Sequence, residues 1–497
     1  MPAPQQQAEQ DWKDFTYAEF GGLDTSSDPT AIRDQDFSWL FDMMPIGNGF
    51  LPVVPGPTSF ASGLNACQWI DYANIGGVDY AVHLNTSGAL NLVNISTGAE
   101  TSIVSGLTPA SCQTATWSNS ALLIIDSTVG YSYWTPGGGY VLSDATIKGY
   151  SIAVHQGRVW ILNGRSYTFS APASYTDFTT SSGGGSGALN DPTIQGNAVA
   201  LFERESILYI IGQTSVNEIG TLTVPTGSTA PVFSVSNLQS SVGTPYLRAI
   251  AELQRVIFLT GPAGVYGVYG VNAPKLSDPL NGILANFSPI NGQFHSGIGN
   301  AFNQLIFAFL GSLTHPNYTG PALACFVNKK WFLSEQGSTL SAICSGTVQG
   351  VPTMLGADSE GKLWRLFTNL ISTRQARVDQ KLFSPFTPIY DHEIIRGGVL
   401  VNWTQADTAE FIAVSDSGTQ SSTLSVNNQI AFTGSDGQPF VFTGSDSKPL
   451  TWYALGAALL KAGFQIRGKH IGLSLRMTAS GNWVRAFMMR LRRATPW

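Results

Sequence analysis

An all-β fold is predicted for this 497-residue chain by three observations. Only 12% of its residues are charged while glycine occupies 53 positions, a composition suited to short strands joined by small-residue turns rather than to helices. Short apolar runs recur at near-even spacing through the middle of the chain. Glycine-bearing turn sequences, NTSGAL, TPGGGY and DSEGKL, stand where tight hairpins need positive φ.

The chain opens differently. FSWLFDMMPIGNGFLPVVPGP (37–57) is apolar yet broken by proline and glycine, so Phe37, Trp39, Leu40, Phe41, Met43, Met44, Phe50 and Leu51 cannot form a core by themselves. Residues 1–59 are expected to be an extended arm whose apolar side chains pack on the chain's own domains, on a neighbouring subunit or on another ring. Residues 1–50 hold nine acids against Lys13 and Arg33.

The repeating region follows. YAVHL (80–84), ALLIID (121–126), RVWILN (158–163), ILYIIG (207–212), VIFLTG (256–261), LIFAFLG (305–311) and TMLGAD (353–358) step by 42, 38, 48, 49, 49 and 48 residues between Tyr80, Leu122, Trp160, Leu208, Ile257, Ile306 and Met354. A weaker strand precedes each core, and a turn and a further strand follow, as in SIAVHQGRVWILNGRSYTFS. A period of about 40 to 50 residues with three or four strands is the size of a β-propeller blade. A sandwich array would space its strands less evenly, and a β-helix would repeat at about 20 residues. Residues 60–372 are therefore predicted to be a six- to seven-bladed β-propeller. SSGGGSGALNDP (181–192) is expected to be a mobile loop, and residues 270–294 a long proline-broken connection.

Residues 373–497 lose the blade spacing and are predicted to form a C-terminal β-sandwich-like domain. AFTGSDGQPF (431–440) and VFTGSDSKPL (441–450) are tandem decapeptides that read as paired hairpin turns. One acid per repeat, Asp436 or Asp446, is too few for a calcium ion that takes six or more oxygens. From Ser447 to Trp497 there are nine bases and no acid, although the whole chain is at −6. In WVRAFMMRLRR (483–493) strand spacing puts Arg490 and Arg492 on one face and Phe487, Met489 and Leu491 on the other.

Little in the sequence points to catalysis. The six histidines are scattered singly, without HExxH spacing, and no GxSxG or GxxxxGK[ST] motif occurs. Cys67, Cys112, Cys325 and Cys344 are far apart and read as buried, reduced thiols. No catalytic residue, metal or cofactor is expected. Asn85, Asn94 and Asn402 match the glycosylation pattern by chance in a Ser/Thr-rich chain, because neither a secretory signal nor a long apolar span is seen. The chain reads as unexported by the usual route.

GGLDTSSDPTAIRDQDFSWLFDMMPIGNGFLPVVPG (21–56), the repeats, and AGFQIRGKHIGLSLRMTASGNWVRAFMMRLRR (462–493) together resemble tail nozzle proteins of short-tailed bacteriophages. These are also described as tail tube protein B or packaged-DNA stabilisation proteins. The resemblance implies a structural virion protein, assembled in the host bacterial cytoplasm into a homo-oligomeric ring, typically a hexamer, without inserting into membrane. Its implied partners are the adaptor ring beneath the portal, tail fibres, spikes or a needle, and the double-stranded DNA that passes through. Candidate assembly residues are Phe37, Trp39, Phe41, Phe50, Leu51, Arg485, Arg490, Arg492 and Arg493. Two other classes stay open. One is a glycan-binding or glycan-cleaving propeller using Trp117, Trp134, Trp160, Trp331 and Trp364; the other is a nucleic-acid binder using the basic C-terminal end.

Overall fold

Each of the seven apolar runs becomes the second strand of a blade, paired antiparallel with the strand before it, in the computed structural model, which describes residues 12–223, 231–382, 392–404, 407–426, 432–433, 439–440 and 456–493. The first blade runs Cys67–Ile75, Val78–Asn85, Leu90–Asn94 and Glu100–Val104, and the second Cys112–Trp117, Ala121–Asp126, Gly130–Thr135 and Gly139–Asp144. Ser151–His155, Arg158–Asn163, Ser166–Phe169 and Gly185–Ala188 form the third; Ala198–Arg204, Ile207–Gly212, Val216–Thr223 and Val232–Gln239 form the fourth. The fifth has Ile250–Leu253, Val256–Gly261 and Gly264–Val268, and the sixth is built on His295–Ala301, Gln304–His315 and Tyr318–Val327. In the seventh, Leu340–Val348, Val351–Asp358 and Leu363–Asn369 are completed by Gly56–Ala61 from the other end of the chain.

The blade count is settled by closure. Leu122 and Ile124 pack toward the first blade, while Leu123 and Ile125 pack toward the third. Successive residues of a strand point to opposite faces, so a strand buried on both faces runs apolar, as Ala121–Ile125 and Leu208–Ile211 do. The last such cluster joins Leu355 and Leu363 of the seventh blade to Ile70 and Val93 of the first, and the inner strands Leu340–Val348 and Cys67–Ile75 lie side by side. Seven blades therefore form a closed β-propeller, latched by Gly56–Ala61.

The inner hairpins share one device. In six blades a two-residue turn joins the first and second strands, with positive φ at both residues: Gly76–Gly77, Gln156–Gly157, Glu205–Ser206, Gln254–Arg255, Phe302–Asn303 and Gln349–Gly350. Such turns match the twist of the strands they join. Side chains also set the turns after the second strand. Asp126 Oδ1 accepts the Thr128 and Val129 amides at 2.7 and 2.8 Å, and Asp358 Oδ1 accepts those of Glu360 and Lys362 at 2.9 and 2.8 Å.

Two loop expectations change. SSGGGSGALNDP supplies Gly185–Ala188, the outer strand of the third blade, rather than a mobile loop alone. Its glycines fit because a Cβ at Gly187 or Gly185 would meet the rings of Tyr167 at 2.4 Å or Phe169 at 2.9 Å. The 270–294 connection stands in for a fourth strand of the fifth blade, since Leu276 donates its amide to the Val265 carbonyl at 2.8 Å and Gly267 to that of Pro274 at 3.0 Å.

The propeller occupies Pro57–Leu323 and Gln336–Phe367, and a second compact unit gathers Met1–Gly56, Ala324–Glu335 and Thr368–Trp497. This replaces the expected three-part division at 59 and 372. In one sheet of the second unit the order is Trp12–Tyr17, Trp483–Arg493, His392–Trp403 and Gly456–Gly468, with Leu51–Pro52 also on Trp483–Arg493. The other sheet carries Lys330–Ser334, Phe37–Phe41, Thr373–Gln380, Ile471–Ala479, Asp407–Ser415 and Gly418–Val426 in that order. Phe411 and Phe464 meet between the sheets at 5.6 Å. Of the tandem decapeptides, the pairing of Phe432–Thr433 with Pro439–Phe440 is described. Asp436 and Asp446 lie outside the described residues.

Candidate assembly surface

From Trp12 onward the N-terminal segment is built into sheets rather than extended as an arm, and its apolar residues pack on the chain's own strands, one of the outcomes expected for them. Phe37, Trp39, Phe41 and Leu51 are at most 5% exposed, Leu40, Met43 and Met44 are fully buried, and Trp39 and Phe41 stack in parallel at 6.0 Å. Phe37–Phe41 pairs with Thr373–Gln380, and Leu51 lies opposite Val484. Half-buried Phe50 sets its edge against Trp483 at 5.3 Å. As candidate docking residues, Phe37, Trp39, Phe41 and Leu51 are therefore corrected: their apolar surface is used inside their own unit, where strand pairing and burial act together.

Asp42 explains why this segment is fixed. It takes a left-handed φ of 54°, which turns the chain after Phe37–Phe41, and its carboxylate is 2% exposed. Its Oδ1 accepts the Ser334 hydroxyl at 2.7 Å, the Glu335 amide at 3.1 Å and the Arg374 guanidinium. One carboxylate thus joins all three chain segments of the unit. Burial pushes the Asp42 carboxyl above its ordinary value, and Arg374 opposes that rise.

The basic strand is placed where its alternation predicts. Phe487, Met489 and Leu491 face the core, while Arg490 is exposed and Arg492 half-buried on the outward face. Arg490 grips Asp14 through two bonds of 2.7 Å, and Arg492 Nε donates to Glu393 Oε2 at 2.8 Å, a carboxylate that Arg467 also approaches at 3.8 Å. The Arg490 hydrogen bond holds the Asp14 carboxyl below its usual value. Arg485 is exposed; Arg493 lies opposite His392, and its side chain is outside the described residues. Two further cations share that face and carry no ion pair among the described residues: Lys461, one of the nine bases of the C-terminal end, and Arg396, which sequence reasoning missed. Arg396 is opposite Arg490, and Lys461 opposite Gly398, pairings made across strands that no local pattern announces.

Because the Arg490–Asp14 pair stands in water, its contribution to folding is expected to be small. Arg490→Glu should leave the melting temperature unchanged within error by scanning calorimetry. Weaker self-association of the same variant in sedimentation would then report on the face itself.

At the propeller axis a second polar cluster was invisible in the sequence. Arg248 donates through Nη2 to the Cys112 carbonyl at 2.7 Å, lies 4.0 Å over the Trp69 ring and has Asp71 Oδ2 at 4.0 Å. It ties the fifth blade to the first and second, with its own carbonyl accepting the Ser296 amide at 2.9 Å. Burial raises the Cys112 thiol to about 12 and lowers His295 to about 3, with Arg248 adding to the latter. Both are held neutral. Cys67, Cys112, Cys325 and Cys344 are buried and unbridged, as the sequence suggested. Among the described residues, no three His, Cys, Asp or Glu side chains gather in a way that could hold a metal ion. No helix there is long and apolar enough to cross a membrane.

No protein-family model matches the chain, and no curated protein does. Among solved structures it is similar to the extracellular domain of a one-component system from B. thetaiotaomicron, at 8% identity and a TM-score of 0.39 over 64% of this chain. The chain spans 40% of that protein's length. It is also similar to BBS1N in complex with ARL6DN, at 10% identity and a TM-score of 0.40 over 64% of this chain and 97% of that one. At such scores the propeller assignment rests on the seven blades and their closure instead.

Proposed function

We propose that this chain is a structural subunit of the tail nozzle of a short-tailed bacteriophage. Copies assemble into a ring, six being the number the resemblance implies, that continues the DNA conduit below portal and adaptor. In that position the ring helps to retain packaged DNA and anchors fibres, spikes or a needle. The observation that carries this reading is the layout: a segment ending in DMMPIGNGFLPVVPG leads into a propeller and shares its own unit with the basic C-terminal strands. An outward sheet face that mixes cations with apolar side chains suits contact with other protein subunits. The slightly acidic whole suits a conduit, because a strongly basic lumen would hold DNA through its phosphates.

The glycan reading loses its main support. Trp160 and Trp331 are fully buried and Trp134 is 9% exposed, so three of the five tryptophans that raised it serve blade or sheet packing. Sedimentation and electron microscopy of the full chain test the ring.

A further inference from the structure

One sheet face of the second unit carries more positive charge than its own acids answer. Among the described residues, the outward face of the Trp483–Arg493 sheet holds Arg396, Lys461, Arg467, Arg490 and Arg492 against Asp14 and Glu393, on a chain whose whole charge is −6. Glu393 answers Arg492 and Arg467, and both oxygens of Asp14 are taken by Arg490. Asp14, Arg490 and Arg396 lie in one row across three strands, so Arg396 stands opposite a like charge whose partner is already engaged. Like charges directly opposite one another weaken a sheet, so folding gives no reason for this arrangement. Arg396, Lys461 and Arg490 surround an open hollow of about 740 Å³ whose remaining lining is Ile395, Ala462 and Gly463, with no acid. Gly463 is exposed, and a Cβ added there would meet nothing nearer than the Ile395 carbonyl at 4.0 Å, so the backbone between the cations stands bare.

We propose that this hollow receives the phosphate backbone of double-stranded DNA. This rests on the nozzle reading, in which DNA is what the ring carries, and names where a copy touches it. Phosphate oxygens need charged donors and no apolar anchor, and the guanidinium of Arg396 and the ammonium of Lys461 are such donors with no carboxylate on them among the described residues. An acidic protein surface fits less well, because a protein contact is held by buried apolar anchors and this hollow offers Ile395 alone. Such anchors, Leu459 and Met488, line the adjoining hollow of about 270 Å³ on the same sheet, and Asp14 lines that hollow rather than this one. A contact through two or three cations per copy, with no base edge read, holds DNA loosely and without regard to sequence.

The test uses the full chain and short DNA duplexes of two unrelated sequences, with binding followed by fluorescence anisotropy over a salt series and self-association by sedimentation. The parent is expected to bind both duplexes alike at low salt and to lose them as salt rises. The double variant Arg396→Ala with Lys461→Ala, both exposed side chains, should melt no lower than the parent, bind about tenfold more weakly, and show a salt slope smaller by about 2. Arg396→Lys with Lys461→Arg keeps both charges and should bind as the parent does. Arg255→Ala removes an exposed cation of the propeller and should leave binding unchanged. A parent indifferent to DNA at low salt, or a double alanine variant that binds as tightly as the parent, overturns the site while rings seen by electron microscopy keep the nozzle reading. A double alanine variant that loses self-association but keeps its DNA affinity would assign the hollow to an acidic protein surface and overturn the proposal too. A chain that forms no ring yet binds duplex through these two residues supports the site and overturns the ring.

Discussion

Arg374→Ala is expected to destabilise the second unit by about 3–5 kcal/mol, because it leaves the buried Asp42 carboxylate without its counter-charge. Ser334 and the Glu335 amide still donate to Asp42, yet neither carries charge. The deficit should depend on pH in a defined direction. Burial already raises the folded-state value of Asp42 above the unfolded value of about 3.9, so its contribution to stability falls as pH rises through that interval. Removing the guanidinium extends the interval upward, since protonation is then the remaining way to neutralise the group. The variant should therefore lie nearer the parent at low pH and fall further below it as pH rises. Hydrogen exchange of amides in Phe37–Phe41 and Thr373–Gln380, measured across a pH series, checks the size and the sign. A deficit that does not grow with pH would mean that Asp42 is not held as a buried charge.

Trp160→Ala is expected to cost the propeller about 3–5 kcal/mol, the range for emptying a large aromatic site in a packed core. Trp160 is fully buried between the third and fourth blades, 4.6 Å from the Phe233 ring, 5.1 Å from Phe169 and 5.7 Å from Tyr167. Its indole N–H donates to the His155 carbonyl at 3.3 Å, a bond the alanine also forfeits. Trp160→Phe keeps a ring in the cluster and should recover much of the loss. Thermal unfolding followed by hydrogen exchange in Arg158–Asn163 and Ile207–Gly212 measures both variants. Equal, small losses would show that this blade interface does not limit the stability of the ring of sheets.

The blades were legible because each central strand is buried on both faces and so must be a continuous apolar run. That single constraint located Leu122, Trp160, Leu208, Ile257 and Ile306 at their correct strands. Blade edges were harder to read. Glu205–Ser206 and Gln254–Arg255 make the same positive-φ turn as Gly76–Gly77, but lack the glycine or asparagine that announces it. Gly185–Ala188 resembled a linker because the side chains that make it a strand, Tyr167 and Phe169, belong to its neighbour.

For the N-terminal segment the sequence left the partner open for a different reason. Its proline-broken run was correctly judged unable to form a core by itself, but its partners are remote: Arg374 lies 332 residues from Asp42, and Ser480, which donates to the Val54 carbonyl at 3.0 Å, 426 residues from it. Pairing over such distances leaves no local pattern. Strand alternation did place Arg490 and Arg492 outward, yet the company of Arg396 and Lys461 on that face arises from register between strands, as does the Arg248 cluster from the meeting of three blades.

Electron microscopy of the purified full chain, at a concentration where sedimentation shows its largest species, tests the central claim most directly. The nozzle reading predicts a closed ring of copies, six around a central channel. Isolated seven-bladed particles at every concentration, with no closed ring, would contradict it.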